Sequence, residues 1–234
     1  MSSMKNLRAF VQAMDSGSTD DTCALATKYG ASVYQSEWLG YAATKNKANA
    51  LASHDWILSL DADEVVDPVL CKAILACIQT DLSVHQAFYI RRVMKYADHT
   101  LRHGSVRNEY RLRLFNRTQV QWNDQSVHEN LFSTEPLQTK KLPGWVWHYS
   151  YTSSTQHRDK LDHYAQLSAT QMYANGKQAT FIKRFLNPVF HLIKNYIFLG
   201  GFLDGLAGWQ FARNEMYYVY SKYKRLAALR QKNV

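Results

Sequence analysis

The sequence predicts an α/β fold with added C-terminal helices. Three observations predict it: strand and helix patterns alternate in the first third, two alternating apolar strands follow, and helical patterns dominate after about residue 153. The chain has 234 residues, of which 46% are apolar and 20% charged, so it is long enough to bury a core and is not disordered in composition.

Polar residues and glycine delimit the first elements. Asp20 and Asp21 suit the first turn of a helix over residues 20–29, and Gly30 ends that helix. Residues 31–36 then predict a short strand.

The next elements surround a cluster of acids. Small apolar residues predict a helix over about 41–53, and the apolar run 55–64 predicts a strand that ends in acids. A further helix over 67–79 opens with Asp67 and has Pro68 at its first helical position, which favours a helix start.

Two alternating stretches, 87–96 and 110–117, predict strands. We expect a catalytic α/β domain over residues 1–152 and a helical, basic region over 153–234. No internal repeat or low-complexity tract interrupts this division.

Cysteine use argues against a disulfide framework or a zinc site. The three cysteines, Cys23, Cys71 and Cys77, show no CxxC spacing. No apolar run follows a basic N-terminal stretch, as a secretory signal would require. We therefore expect a reducing, cytoplasmic setting.

The net charge of +9 is concentrated at the C-terminal end. From Phe181 onward, nine Lys and Arg residues stand against Asp204 and Glu215, a net charge of +7. This asymmetry fits an anionic partner such as a phospholipid, a lipid-linked phosphate or a nucleic acid, and it also fits a solvated basic helix face. No recognised DNA or RNA motif is present, so we expect no nucleic-acid partner.

The motif "LDADE" ends the apolar run at 55–64. In an extended segment the side chains of Asp61 and Asp63 lie on the same face, and ligands of open α/β sheets bind where strands end. A divalent cation between two carboxylates would bind diphosphate oxygens. Acids that cap a helix or line a loop are the competing interpretation.

Several motifs, in order, carry a resemblance to a known family. They are "DSGSTDDT" from Asp15, "WLGYAATKNKA" (38–48), "DWILSLDADE" (55–64), "YRLRLFNR" (110–117), "VHENL" (127–131) and "FLDGLAGWQFA" (202–212). Together they resemble the family-two glycosyltransferases of GT-A fold, and more closely the branch with the lipopolysaccharide core glucosyltransferases. The resemblance covers roughly residues 13–225 and implies a Rossmann-like mixed sheet.

The resemblance implies a nucleotide-sugar site. Asp15 would contact the uracil or ribose, with Gly17 shaping the turn, and Lys45 would approach the nucleotide or its diphosphate. Asp61 would contact the ribose and share the metal. We expect Ser18, Thr19 and Asp20 to cap the following helix instead.

The resemblance also implies a metal, Mg²⁺ or Mn²⁺, that neutralises the departing nucleoside diphosphate. Asp63 is the stronger ligand candidate, Asp61 the second, and His148 stands where related enzymes place a third contact. A histidine satisfied within an aromatic wall is the competing interpretation for His148. Glu64 is expected behind the metal ligands and not among them.

Acceptor activation falls on the stretch "WNDQSVHEN". The acceptor hydroxyl must lose a proton as it attacks the anomeric carbon, and a positioned carboxylate or histidine performs this step. Glu129 is our choice for the base and Asp124 the alternative. His128 would orient phosphate or the carboxylate, unless its role is structural.

Aromatic and basic side chains near these motifs have two interpretations each. Tryptophans would stack on sugar rings or fill the core, namely Trp122, Trp145 and Trp147. Arginines would hold a phosphorylated acceptor or lie on a strand surface, namely Arg107, Arg111 and Arg113.

One feature departs from the family. Its members begin with an apolar strand before the acidic loop, whereas fourteen residues precede Asp15 here, and "MKNLRAFVQAM" resembles neither that strand nor the usual second one. We therefore expect a GT-A fold that lacks its N-terminal strand, with an exposed neighbouring strand edge.

The resemblance implies an inverting, metal-assisted transfer of a sugar, glucose by preference, from a UDP-sugar to a lipopolysaccharide core or similar lipid-linked glycan. The C-terminal aromatic and basic helices would bind the inner face of the inner membrane or pack on the catalytic domain. The alternatives are an inactive remnant that binds membrane or lipopolysaccharide, and a metal-dependent nucleotidyl or phosphoryl transferase.

Overall fold

The computed structural model describes residues 10–123 and 131–231. Its strands are β1 (Gln12–Asp15), β2 (Ser32–Gln35), β3 (Trp56–Leu58), β4 (Glu64–Val66), β5 (Ala87–Tyr96), β6 (His99–Thr100), β7 (Glu109–Asn116), β8 (Gln121–Trp122), β9 (Leu131–Phe132) and β10 (Thr139–Tyr151). Its α-helices are α1 (Thr22–Lys28), α2 (Tyr41–Ala50), α3 (Pro68–Thr80), α4 (Ser154–Ala174), α5 (Asn187–Ile193) and α6 (Gly205–Gln231). This mixed α/β composition confirms the predicted fold class.

The described strands form three sheets. The largest has the order β3-β7-β5-β10-β4, with β6 paired to β5, and β3 runs antiparallel to β7. Strands β1 and β2 form a parallel pair, and β8 pairs antiparallel with β9. The sheet content is therefore mixed in direction, as a Rossmann-like mixed sheet requires.

One strand was not predicted, and one predicted strand is interrupted. Residues 12–15 form a strand that pairs in parallel with residues 32–35. The apolar pattern of 12–15 is weak, and the strand forms because the backbone of its partner supplies the hydrogen bonds. The predicted strand over 55–64 is interrupted: β3 ends at Leu58 and β4 begins at Glu64. The chain turns between these two strands at the acidic motif.

The chain divides into two compact units. The first consists of the described residues within Met1–Ala62, Val66–Arg91 and Tyr110–Val146, and the second of those within Asp63–Val65, Arg92–Glu109 and Trp147–Val234. The domain boundary predicted at 152/153 stays a prediction.

Helix α3 organises the core of the first unit. Its N-cap Asp67 accepts hydrogen bonds from the backbone N–H groups of Leu70 (2.9 Å) and Val69 (3.2 Å), so the predicted helix start is confirmed. The same carboxylate accepts the backbone N–H of Trp145 on β10 at 2.8 Å. The helix buries its apolar face against strand residues in a cluster of Leu70, Ile74, Cys77, Phe88, Ile90, Leu114, Leu142 and Val146.

The second unit has its own core, built around Tyr96. Tyr96 and Phe211 of α6 pack edge-to-face with ring centroids 5.8 Å apart, and His157 of α4 is fully buried beside both. The side-chain amide of Asn214 donates to the Tyr96 hydroxyl (3.3 Å) and to the Ser154 carbonyl (2.9 Å). Helices α4 and α6 are thereby tied to β5 through a buried polar network.

Within the described ranges, no helix combines the length and apolar composition that crossing a bilayer would need.

The close approach of β10 to the start of α3 gives a stability prediction. Gly144 has φ +85°, and a Cβ there would collide with the Leu70 backbone N and lie 2.6 Å from an Asp67 carboxylate oxygen. Gly144→Ala should lower the free energy of unfolding by more than about 2 kcal/mol in urea denaturation, because steric overlap adds to the left-handed backbone cost.

Gly30→Ala is the matched control, since Gly30 has φ +87° and nothing within 4 Å of an added Cβ. It should cost about 1 kcal/mol. Equal losses in the two variants would contradict the tight packing of β10 on α3.

Candidate active site

The acidic loop begins where β1 ends. The buried carboxylate of Asp15 accepts the Gly17 backbone N–H (3.1 Å), the Ser18 backbone N–H (3.2 Å) and the Ser18 hydroxyl (2.5 Å). The Ser18 hydroxyl, followed by the Gly17 N–H, lowers the pKa of Asp15 below its usual value. Asp15 is thus ionised and closes the loop in which Gly17 takes φ +100°.

The capping prediction for this loop was wrong for Ser18. Its hydroxyl bonds back to Asp15, and the N-cap of α1 is Asp21, which makes no side-chain cap bond. Asp20 does accept the Thr22 backbone N–H at 3.1 Å, beside the helix start.

An open cleft of about 420 Å³ lies at the carboxyl ends of the parallel strands β1 and β2. Its lining consists of Asp15, Ser16, Gly17, Ser18, Gln35, Ser36 and Glu37. The Lys47 ammonium donates to the Ser36 hydroxyl at 2.8 Å, so this cation reaches the rim of the cleft. The volume is in the range of small-ligand sites.

Asp61 lies between two cations. Its carboxylate is 2.7 Å from Nη2 of Arg113 and 3.2 Å from Nζ of Lys45. Burial alone would raise the pKa of Asp61, but the charges and hydrogen bonds of Arg113 and Lys45 together outweigh it and lower the pKa to about 2. Asp61 is therefore ionised throughout the physiological range.

The strand register explains this arrangement. Leu58, the last residue of β3, pairs with Leu114 of β7, and the Ser59 N–H donates to the Arg113 carbonyl at 2.8 Å. Arg113 thus stands beside the strand end that leads to Asp61. Its side chain is 5% exposed, whereas Arg107 and Arg111 are exposed.

Trp122 positions the second cation. Lys45 Nζ lies 4.5 Å from the centre of its ring, and the Asn46 side chain exchanges two hydrogen bonds with the Trp122 backbone (2.9 and 3.0 Å). Trp122 is buried in a cluster with Ala42, Ala87, Phe115 and Val120. The core interpretation of this tryptophan is therefore the one the structure supports.

The other two tryptophans lie on β10. Trp145 gives its backbone N–H to Asp67 at 2.8 Å, and Lys95 Nζ lies 4.6 Å from the centre of the Trp147 ring.

Asp63 and His148 come together as a pair. Oδ2 of Asp63 lies 3.2 Å from Nε2 of His148, and the Tyr149 backbone N–H donates to the Asp63 carbonyl at 2.9 Å. Ser150 Oγ lies 2.6 Å from Nδ1 and 3.2 Å from Nε2 of His148, so it packs against the side of the ring. The Asp63 side chain is 41% exposed.

Glu64, the next residue, faces Arg92. It is buried on β4, and its carboxylate is 3.9 Å from Nη1 of Arg92. Arg92 also makes a bidentate bond to Glu109, at 3.0 and 2.5 Å.

Three predicted acceptor-side residues, Asp124, His128 and Glu129, lie outside the described residues. They fall in the segment between β8 and β9. In the described part of the chain, no group of three His, Cys, Asp or Glu side chains is arranged to hold a metal ion.

The family assignment follows from comparison with known proteins. The model for "Glycosyl transferase family 2" matches residues 11–164, which is more than half of the chain and spans every site residue described above. The chain belongs to the family-2 glycosyltransferases. It is therefore a glycosyltransferase, and the mixed α/β architecture is the GT-A fold that the motifs implied.

Similar proteins carry the same designation. The chain is 28% identical to an uncharacterized glycosyltransferase of Rickettsia felis over 99% of its own length and 83% of the relative's. It is 26% identical to another of Rickettsia typhi, over 99% and 81%. It is also 28% identical to the lipopolysaccharide core biosynthesis glycosyltransferase LpsC of Rhizobium meliloti, over 83% and 74%.

The ion pairs of Asp61 give a prediction on its titration. Replacing Arg113 by Met should raise the pKa of Asp61 from about 2 toward the ordinary value of about 3.9, as followed by carboxyl-carbon NMR. The folded-state pKa lies below the unfolded value, so the stabilising contribution of Asp61 is present above about pH 4 and lost as the pH falls toward 2. The variant should show a weaker pH dependence of unfolding in that window.

Arg117→Met serves as the control, because Arg117 pairs with a different acid, the exposed Asp55, at 3.6 Å. It should leave the pKa of Asp61 unchanged. A pKa of Asp61 that stays near 2 in Arg113→Met would show that Lys45 alone holds the charge.

Proposed function

We propose that this glycosyltransferase transfers a hexose, glucose by preference, from a UDP-sugar to a lipopolysaccharide core or similar lipid-linked glycan. The proposal of a nucleotide-sugar donor rests on the cleft of about 420 Å³ at the ends of β1 and β2, which the acidic loop lines. Glycosyl transfer itself rests on membership of the family.

The nucleotide half of the donor would occupy this cleft. Asp15 and the φ-positive Gly17 shape its wall, and Ser16 adds backbone and hydroxyl groups that suit a base or ribose edge. Lys47 at the rim adds a positive charge suited to an anionic ligand. Asp15 acts mainly by holding the loop, since its own carboxylate accepts three local donors.

Lys45 and Asp61 would recognise the donor as a unit. Asp61 is held ionised and oriented by Arg113, so it can accept a ribose hydroxyl without losing its charge. Lys45 is shared between Asp61 and the Trp122 ring, and a diphosphate would compete for it. Arg113 is accordingly a positioning residue.

A divalent cation, Mg²⁺ or Mn²⁺, fits Asp63 and His148 better than Asp61. Asp63 and His148 bring a carboxylate oxygen and a ring nitrogen within 3.2 Å of each other. Two protein ligands leave coordination positions for diphosphate oxygens. When bound, the metal supplies charge neutralisation to the leaving diphosphate. Asp61 already has two cations as neighbours.

The acceptor side would use the segment that carries Asp124, His128 and Glu129. An acceptor hydroxyl attacks the anomeric carbon, its proton passes to Glu129, and the bond to the diphosphate oxygen breaks with release of UDP. Attack from the face opposite the leaving group inverts the anomeric centre, as the family resemblance implies.

A lipid-linked acceptor is supported by two facts. The relative from Rhizobium meliloti is described as acting in lipopolysaccharide core biosynthesis. The chain from Phe181 onward has a net charge of +7, which suits the anionic inner face of a membrane. We place the protein on the cytoplasmic side of the inner membrane as a peripheral component.

The metal and donor roles are tested by titrating UDP with and without Mn²⁺. In the wild type Mn²⁺ should strengthen UDP binding, and Asp63→Asn should remove about tenfold or more of that enhancement while leaving metal-free binding unchanged. Asp55→Asn, which changes an exposed aspartate, should behave as wild type. Binding of UDP that does not respond to Mn²⁺ would contradict the metal role.

The reaction class is tested by product analysis. UDP-glucose with a core acceptor should release UDP, whereas pyrophosphate from a nucleoside triphosphate and a sugar phosphate would indicate nucleotidyl transfer. Glu129→Gln should lower the transfer rate by about 100-fold or more and leave UDP binding intact. An unchanged rate would assign the base to Asp124 or another group.

A further inference from the structure

The segment from Phe181 to Leu206 in the second unit exposes an unusual amount of apolar surface. Five side chains at a repeat of four residues are all exposed; we call them the apolar stripe: Phe181, Phe185, Val189, Ile193 and Ile197. Four more follow at the turn into α6; we call them the apolar tip: Phe198, Phe202, Leu203 and Leu206, exposed by 73, 51, 62 and 69%. Three neighbours of the stripe, Ile182, Leu186 and Phe190, are also exposed, by 59, 55 and 61%. Scattered single apolar residues are normal at a surface, but twelve large exposed ones within one segment are not.

The helical geometry keeps the stripe on one side. Residues 182–186 and 194–198 form π-helical turns on either side of α5. An α-helix has about 3.6 residues per turn, so a four-residue repeat drifts around it. A π-turn contains more residues per turn, so side chains four residues apart shift around the axis in the opposite direction. The alternation of π, α and π turns therefore holds the five side chains in line.

Glycines make the tip a fixed turn. A Cβ on Gly208 would collide with the Gly201 carbonyl oxygen, and one on Gly201 would lie 2.7 Å from the Asn195 carbonyl oxygen. The backbones before and after the tip are thus in direct contact, which fixes the course of the turn. These close backbone contacts explain the glycines at positions 201 and 208 in the motif "GGFLDGLAGWQFA".

The charged residues of the segment are three cations and one buried acid. Lys183, Arg184 and Lys194 lie within the segment, and the first acid after Phe181 is Asp204. Asp204 faces inward: its carboxylate accepts the backbone N–H groups of Arg102 (3.0 Å) and His103 (2.9 Å), and its side chain is 6% exposed.

We propose that the apolar stripe and the apolar tip form a membrane-docking surface that enters the headgroup region of an anionic phospholipid leaflet, with the tip inserted deepest. Apolar side chains flanked by cations match the chemistry of such a leaflet. A second copy of the chain suits the surface less well, because a two-fold interface would bring like cations together. This inference rests on the proposed membrane-linked acceptor and names the surface that would reach it.

Vesicle flotation of the full chain tests the surface. The wild type should float with vesicles of phosphatidylethanolamine and phosphatidylglycerol and bind phosphatidylcholine vesicles more weakly. Phe198→Ser with Leu206→Ser should lower the partition coefficient about tenfold or more. Lys183→Glu with Lys194→Glu should remove the preference for anionic lipid. Val84→Ser with Leu167→Ser removes two other exposed apolar side chains and should leave flotation unchanged.

Three results would overturn the surface: wild-type protein that stays with the soluble fraction, a tip variant that floats like the wild type, or light scattering that shows a dimer broken by the tip substitutions. UDP affinity, measured on the same variants, should be unchanged and reports folding. Wild-type protein that floats as expected but binds no UDP would remove the donor proposal and leave the docking surface standing.

Discussion

The ion pairs of Asp61 with Arg113 and Lys45 are the interaction on which the candidate site depends. β3 ends at Leu58, and the pairing of β3 with β7 places Arg113 beside the chain that continues to Asp61. Lys45 reaches the same carboxylate from α2, with its ammonium over the buried Trp122 ring. A buried arginine is costly without a partner, so the acid and the arginine stabilise each other.

The two aspartates of the acidic motif therefore have different surroundings although they are two residues apart. Asp61 is neutralised by protein cations, whereas Asp63 is paired with His148 and is more exposed. Equal roles in holding a metal do not suit these surroundings. The proposed division of labour does, with Asp61 on the nucleotide and Asp63 on the metal.

Local sequence signals predicted the elements β2, β3, β5, β7 and α1 to α3, but not the long strand β10. The Asp67–Pro68 helix start and the alternation over 87–96 and 110–117 each determine an element through contacts close in the chain. β1 was missed because its stability comes from β2, about twenty residues later, and not from its own pattern. The break after Leu58 was missed because an apolar run gives no sign of where pairing stops.

The sequence predicted the acidic residues of the candidate site better than it predicted the residues that pair with them. The carboxylates stand out in the sequence as a cluster after an apolar run, but the partner of each is distant: Arg113 is 52 residues from Asp61. Ser18 looked like a helix cap because capping and Asx-type turns use the same side chains, and the nearby carboxylate of Asp15 took its hydroxyl. The composition predicted an apolar and basic segment after Phe181. The alignment of its exposed side chains depends on π-helical turns, which no residue pattern predicts.

The most direct measurement is anomalous diffraction at the manganese edge from crystals grown with UDP and Mn²⁺. The division of labour predicts one strong peak within about 2.5 Å of Asp63 and His148, with Asp61 still bonded to Arg113 and outside the coordination sphere. Manganese bound by Asp61, with the Arg113 ion pair broken, would contradict it. So would UDP bound in the acidic-loop cleft with no manganese at Asp63.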